Sequence, residues 1–180
     1  MDSKIENKRL FSIGQIIVVL LPLTMLLFPS CKENKWAEWK VQNQIWLEQN
    51  RTKDSVHVTA SGLQYKIIAD PTPKDALPNS TSTINCDYTA RLINGYQVDG
   101  GNATLSLPNT IPGFREGCHL VHNNGDIELY IPYWLGYDYE KATGDDEYNA
   151  EGYGTEGTQA YIPPYSTLIY TIHICSVTGE

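Results

Sequence analysis

Ile84, Cys86, Tyr88, Ala90 and Leu92 alternate with Asn85, Asp87, Thr89 and Arg91, the clearest period of two in the chain. That alternation predicts a strand with one face turned to a core. It runs into Asn94-Gly95, a strong two-residue hairpin signal, so Tyr96–Val98 should return antiparallel. Leu63, Tyr65 and Ile67 predict an earlier half-buried strand, broken by Pro71, Pro73 and Pro78. Ala103–Leu107 reads as a further short strand. Pro112 suits the first turn of a brief helix over Pro112–Leu120, which Asn123-Asn124-Gly125 ends. Ile127, Leu129 and Ile131 make a strand closed by Pro132, and Leu168, Tyr170, Ile172 and Ile174 make the last. Five or six antiparallel strands with one short helix define an α+β class, a curved sheet packed on that helix. Upstream, residues 35–50 predict an N-terminal helix with Trp36, Trp39, Trp46 and Leu47 on or near one face. Such a stripe is core or a seam to a partner helix, and Arg51–Ser61 is a polar linker.

The first 30 residues lie outside this pattern. Lys4, Lys8 and Arg9 precede an apolar run, Ile16–Phe28, which meets Pro29-Ser30-Cys31. This is the layout of an export signal, and the run is shorter than the roughly 20 residues a spanning helix needs. Phe28-Pro29-Ser30-Cys31 resembles a degenerate bacterial lipobox in which Cys31 becomes the lipidated first residue; the alternative is an ordinary secretory signal with a chance cysteine. Three organising segments follow: a signal peptide at 1–30, an N-terminal helix and linker at 31–60, and a domain at 61–180.

Loss of residues 1–30 removes three basic and two acidic side chains, leaving ten Lys and Arg against nineteen Asp and Glu, a net charge of −9. Nucleic acid is thereby an unsuitable partner, because phosphate binding relies on clustered Lys and Arg. Cys86, Cys118 and Cys175 are odd in number and never at C-x-x-C spacing, which argues against a redox motif or zinc site. Buried free thiols are the expectation, with a Cys86–Cys118 bridge as the alternative in an oxidising compartment. His119 and His122 at i, i+3 lack a third ligand, and Asp145, Asp146 and Glu147 lack the order of a calcium loop, so no metal and no cofactor is expected.

Six segments, taken together and in order, resemble the FKBP-type peptidyl-prolyl cis-trans isomerase family: Ser61-Gly62-Leu63-Gln64-Tyr65, Asp87-Tyr88-Thr89-Ala90, Gly95-Tyr96-Gln97-Val98-Asp99, Ile111-Pro112-Gly113-Phe114-Arg115-Glu116-Gly117, Tyr130-Ile131-Pro132 and Ile162-Pro163-Pro164-Tyr165-Ser166-Thr167-Leu168-Ile169-Tyr170. The lipobox and Trp-rich helix are similar to those of FKBP-type lipoproteins from Bacteroidetes-like bacteria. The resemblance implies a half-barrel wrapped on one helix, with an apolar hollow that binds a proline ring and speeds rotation about the preceding peptide bond. Carried over by position, Tyr88 and Tyr170 would form walls, Phe114 the floor, and Thr110 and Ile111 the helix approach, with the Ile111 N–H holding a peptide carbonyl. Asp99 would lie beside the twisting carbonyl, Ile162 at the mouth, and Tyr137 would offer its hydroxyl to the substrate. Tyr88, Asp99, Ile111, Phe114, Tyr137 and Tyr170 are thus the catalytic candidates, and Val98, Thr110 and Ile162 the substrate-binding ones.

The chain departs from the family at Val98, usually Phe, at Ala103, near which a further aromatic often falls, at Phe114, usually Trp, and at Leu135-Gly136-Tyr137, where Tyr is shifted by one. Tyr137–Tyr161, rich in tyrosine, glycine and acidic residues, reads as a solvated loop or, alternatively, a recognition surface. The functional expectation is a lipid-anchored prolyl isomerase of the cell envelope, on the outer membrane or periplasmic face, that assists folding of proline-containing exported polypeptides. The alternative is a non-catalytic FKBP-like binding module or holdase chaperone. A homodimer through the Trp36/Trp39/Trp46 face is compatible with either.

Overall fold

Alternation along the strands places Ile84, Cys86 and Ala90 on the same inward face as Ile172 and Ile174, all fully buried, and this face is what the helix must cover. A computed structural model describes residues 35–71, 76–137 and 152–179. The signal segment 1–30, the lipidation candidate Cys31 and the Asp138–Glu151 part of the tyrosine-rich loop lie outside the described residues. The elements are α1 (Ala37–Asn50), β1 (His57–Val58), β2 (Gln64–Ala69), β3 (Thr83–Arg91), β4 (Gln97–Ser106), α2 (Pro112–Cys118), β5 (Asp126–Ile131) and β6 (Leu168–Thr178). The strands form one antiparallel sheet in the order β1-β2-β5-β6-β3-β4. It is the expected α+β architecture, an open six-stranded sheet with two helices.

Three local differences have clear causes. The two short strands expected on either side of Gly100-Gly101 are one ten-residue strand, β4. Gly100 and Gly101 keep the ladder going at φ +156° and +142°, a backbone that side chains rarely allow. Within the polar linker, His57–Val58 adds a two-residue strand to Tyr65 and Gln64. Helix α2 stops at Cys118 rather than Leu120, and the chain turns through Asn124 at φ +61°.

Helix α2 lies unusually close to β5. A Cβ on Gly113 would stand 2.5 Å from Ile131 Cγ2, and one on Gly117 only 2.3 Å from Leu129 Cδ1. Glycine at this i, i+4 pair therefore sets the helix–sheet distance. Cys86 and Cys118 are buried free thiols and Cys175 is a half-buried one. Burial pushes the Cys86 thiol up to about 11 and Cys118 higher, which makes them inert packing groups. The His119/His122 pair is divided: His122 Nδ1 lies 3.0 Å from Asp70 Oδ1, while His119 Nε2 is buried without a partner. Among the described residues no group of three or more His, Cys, Asp or Glu could hold a metal.

Helix α1 packs on the chain's own sheet and turns. Its buried residues are Asn43, Leu47 and Asn50, two amides and a leucine. The Asn43 carbonyl oxygen accepts the Thr167 backbone N–H at 2.7 Å, Asn50 Nδ2 donates to Gln64 Oε1 at 3.0 Å, and Gln64 Nε2 donates to the Leu47 carbonyl at 3.0 Å. The tryptophans flank this strip. Trp39 Nε1 donates to Ser166 Oγ at 3.0 Å, and the Trp46 and Trp36 rings lie 5.7 and 6.2 Å from those of Tyr130 and Tyr161. The three tryptophans thus pack in part on the chain itself and remain half-buried, and Val41 and Ile45 form the exposed side, each 51% accessible.

This packing gives a stability prediction. Asn43→Ala strands a fully buried Thr167 N–H and should cost about 1–3 kcal/mol, measured by urea unfolding. Exposed Glu38→Ala should stay within about 0.5 kcal/mol. Equal effects of the two would show that α1 is not clamped through its amide.

Candidate active site

Three rings from separate elements converge between α2 and the sheet. Cross-strand pairing sets Tyr88 opposite Ile172 and Tyr170 opposite Ala90, so the two tyrosines are diagonal neighbours on the inward face. Their rings stack at 6.0 Å and 27°. Phe114, the third residue of α2, presents its edge to both, at 5.3 Å from Tyr170 and 6.4 Å from Tyr88. Phe114 and Tyr170 are 3% and 5% exposed and form the floor; Tyr88 is half-buried and forms a wall. The contacts have the offset and edge-to-face geometries that ring quadrupoles favour.

A bulge brings two consecutive β4 residues to the same place. Ala90 pairs with Asp99 but Arg91 pairs with Gln97, so Val98 is the extra residue. Bulges re-aim side chains in this way: Val98 is buried in the core cluster, while Asp99 Oδ2 accepts the Tyr88 hydroxyl at 2.9 Å. The other oxygen, Oδ1, accepts the Gly100 N–H at 2.8 Å, which fixes the carboxylate. Burial first, and then the Asp99 bond, push the Tyr88 phenol up to about 12.

The remaining candidates divide. Ile111 precedes α2 in an extended conformation and its carbonyl accepts the Arg115 N–H at 3.1 Å; its own N–H has no partner among the described residues. Thr110 donates its hydroxyl to the Leu107 carbonyl at 2.8 Å, a bond that closes the turn before α2. Ile162 is buried in the same core cluster. Tyr137, despite its shifted position, is half-buried and packs against the core cluster that includes Tyr170. Burial pushes both phenols up, Tyr170 the more strongly. Tyr137 also stacks on Tyr153 at 4.2 Å and 22°.

Tyr153, Gln159 and Ala160 were not among the sequence candidates. Tyr153 and Ile162 exchange backbone hydrogen bonds of 2.9 Å, bringing the described end of the tyrosine-rich loop beside the hollow. Gln159 and Ala160 face Gln97, Val98, Asp99 and Gly100 across a cleft of about 280 Å³. The alternating glycines and tyrosine in Gly152-Tyr153-Gly154 were the available signal, but loop composition does not specify a partner strand.

Between the open antiparallel sheet and the short helix α2, Tyr88, Phe114 and Tyr170 thus form an aromatic cluster, with the Asp99 carboxylate on the Tyr88 hydroxyl. Residues 74–175 match the profile of FKBP-type peptidyl-prolyl cis-trans isomerase, and residues 29–67 match the domain amino-terminal to it; the chain belongs to the FKBP-type peptidyl-prolyl cis-trans isomerase family. The protein described as probable FKBP-type peptidyl-prolyl cis-trans isomerase FkpA of Neisseria meningitidis is 32% identical over 143 residues, which are 77% of this chain and 46% of that protein. The outer membrane protein MIP of Legionella longbeachae is 32% identical over 154 residues, 82% of this chain and 58% of that protein. The crystal structure of FkpA from Escherichia coli shares the fold, with a TM-score of 0.63 at 22% identity over 98% of this chain and 75% of that one. The chain spans about half the length of the curated relatives it matches.

The rim hydrogen bond gives a titration prediction. Because folding raises the Tyr88 pKa from its ordinary value near 10 to about 12, its contribution to stability is intact below about pH 10 and is lost as pH rises through about 12. Phenolate absorbance should therefore contain a late step near pH 12 that Tyr88→Phe removes and Asp99→Asn moves to lower pH. A step unmoved by Asp99→Asn would show that the carboxylate does not hold this phenol.

Proposed function

We propose that this chain is an FKBP-type peptidyl-prolyl cis-trans isomerase that assists folding of exported proteins, with Tyr88, Phe114 and Tyr170 enclosing the substrate proline. The observation that carries the reading is the convergence of those three rings from β3, α2 and β6. The task is to lower a barrier of about 18–20 kcal/mol that exists because resonance gives the C–N bond double-bond character. No nucleophile is required. A twisted amide has lost its resonance and much of its dipole, so a dry aromatic hollow disfavours it less than it disfavours the planar, well-hydrated ground state. The Ile111 N–H, as donor to the neighbouring substrate carbonyl, would fix the peptide while the bond turns. Asp99 orients the Tyr88 hydroxyl at the rim.

The further reading places the protein in the cell envelope as a lipoprotein of the Bacteroidetes-like form, anchored through acylated Cys31, since several acyl chains hold a protein firmly at about 0.8 kcal/mol per buried CH₂. The described relative named as an outer membrane protein supports an envelope location. The domain limits follow the same reading: signal at 1–30, helix and linker at 31–60, isomerase domain at 61–180. A homodimer through α1 would use its half-buried Trp36, Trp39 and Trp46 together with the exposed Val41 and Ile45.

A second reading, a holdase without catalysis, is favoured by one observation: the Phe114 and Tyr170 rings already pack on each other at 5.3 Å and are almost fully buried. The two readings separate in an isomerisation assay on short Xaa-Pro peptides followed by NMR exchange. Wild type should accelerate exchange, and both Tyr88→Ala and Phe114→Ala should lower kcat/KM about ten-fold or more. Acceleration retained in both variants, or absent from the wild type, would overturn the catalytic assignment.

A further inference from the structure

The two edges of the sheet are built differently. At one edge, β1 has only two residues, and β2 beyond it carries Lys66 and a register shift between Ile67 and Ala69. Short strands, lysine and bulges are the devices that keep sheet edges from pairing with other chains. At the other edge, β4 runs for ten residues, and from Gly100 to Ser106 it contains no charged residue and no proline.

The register shows which groups face outward. The Leu107 N–H donates to the Ser82 carbonyl at 3.0 Å, and the pairing with β3 is regular from Ser106 back to Asp99. Hydrogen-bonded and non-hydrogen-bonded pairs alternate along an antiparallel ladder. Leu105, Ala103, Gly101 and Asp99 therefore bond to β3, while Ser106, Thr104, Asn102 and Gly100 turn their N–H and C=O groups away from it. The Gly100 N–H agrees, since it donates to Asp99 Oδ1. Among the described residues nothing bonds the outward backbone groups of Asn102, Thr104 and Ser106. Their side chains do not shield them either: Asn85 Nδ2 donates to Asn102 Oδ1 and Thr104 Oγ1, both at 3.2 Å, and Asn102 Nδ2 donates to Asp87 Oδ1 at 2.9 Å. These bonds draw both side chains back over β3.

This bare edge is continuous with the candidate site. Gln97, Val98, Asp99 and Gly100 line the cleft beside the aromatic hollow, and the outward groups begin at Gly100. Gly101 has open space where a Cβ would stand, so among the described residues nothing obstructs the step from cleft to edge. From Gly100 to Ser106 the strand spans about 20 Å.

We infer that the outer edge of β4 is a docking edge for an extended segment of the client polypeptide, which adds a strand there while its proline occupies the hollow. The inference rests on the isomerase reading for its client class. Strand addition uses main-chain hydrogen bonds, so it accepts many sequences, as a protein acting on unfolded exported chains requires. A second copy of this chain is the competing occupant of the same edge, and the test distinguishes it.

The full chain is tested with two variants. Thr104→Pro removes an outward N–H at an edge position that tolerates proline, leaving the bonds to β3, and Thr104→Lys adds a charge to the edge. The probes are fluorescent reduced, carboxymethylated α-lactalbumin, and a one-proline peptide with a six-residue extension, made with and without N-methyl groups on alternate amides. Both variants should keep short-peptide kcat/KM within about two-fold of wild type and lose about ten-fold in affinity for the unfolded protein. Wild type should bind the N-methylated peptide about ten-fold more weakly. Unchanged affinity in both variants, or indifference of wild type to N-methylation, would overturn the inference. So would sedimentation showing a wild-type dimer that Thr104→Pro dissociates, which would assign the edge to a second copy. Should wild type fail to isomerise the short peptide while the long-chain affinities still respond, the catalytic reading fails and the docking edge stands.

Discussion

Helix α2 makes its closest approach to β5 at Gly113 and Gly117, where it has no side chains. Gly113 and Gly117 face Ile131 and Leu129 at distances that leave no room even for a methyl group, and the residue between them, Phe114, is thereby brought to edge contact with Tyr170 and Tyr88. A helix held one side chain further out would put the same phenylalanine over a wider, wetter gap. Close packing of this kind is unforgiving, because interiors have the density of organic crystals and overpacking by a methylene commonly costs about 1–3 kcal/mol. The aromatic hollow follows from that seam.

The sheet supplies the rest by departing from regularity in one place. Perfect alternation along β4 would send Val98 and Asp99 to opposite faces; the bulge lets one fill the core and the other hold the Tyr88 hydroxyl at the rim. Apolar floor and charged rim are therefore adjacent without a charge being buried, and burial pushes the pKa values of the phenols between them up. The loop end joins from the far side through the Tyr137–Tyr153 stack, and α1 clamps the Ser166–Thr167 turn that leads into β6.

Much of this was legible in the residues. Strict alternation from Ile84 to Leu92, the Asn94-Gly95 turn and Pro112 at a helix start specify β3, its hairpin and α2, because in each the local signal and the tertiary demand agree. The candidate site residues could be named only jointly: a tyrosine on a strand is ordinarily core, and it was the order of the motifs that singled out Tyr88, Phe114 and Tyr170. Other features resist such reading. Gly100-Gly101 signals a turn by composition, yet β4 passes straight through it, since glycine there answers a positive φ within a strand. The buried face of α1 consists of Asn43, Leu47 and Asn50, which an apolar periodicity cannot reveal when the amides are satisfied by distant backbone and Gln64. The Tyr137–Tyr153 stack depends on how a loop closes, and closure leaves no mark in local sequence.

The central claim is that proline enters the hollow bounded by Phe114, Tyr88 and Tyr170. NMR of the protein with a short Xaa-Pro peptide measures this directly, through ring-current shifts of the prolyl protons and their intermolecular nuclear Overhauser effects. The account predicts upfield-shifted prolyl resonances with contacts to the ring protons of Phe114 and Tyr170. Prolyl protons that keep their free-peptide shifts, or that contact only residues away from these rings, would contradict it.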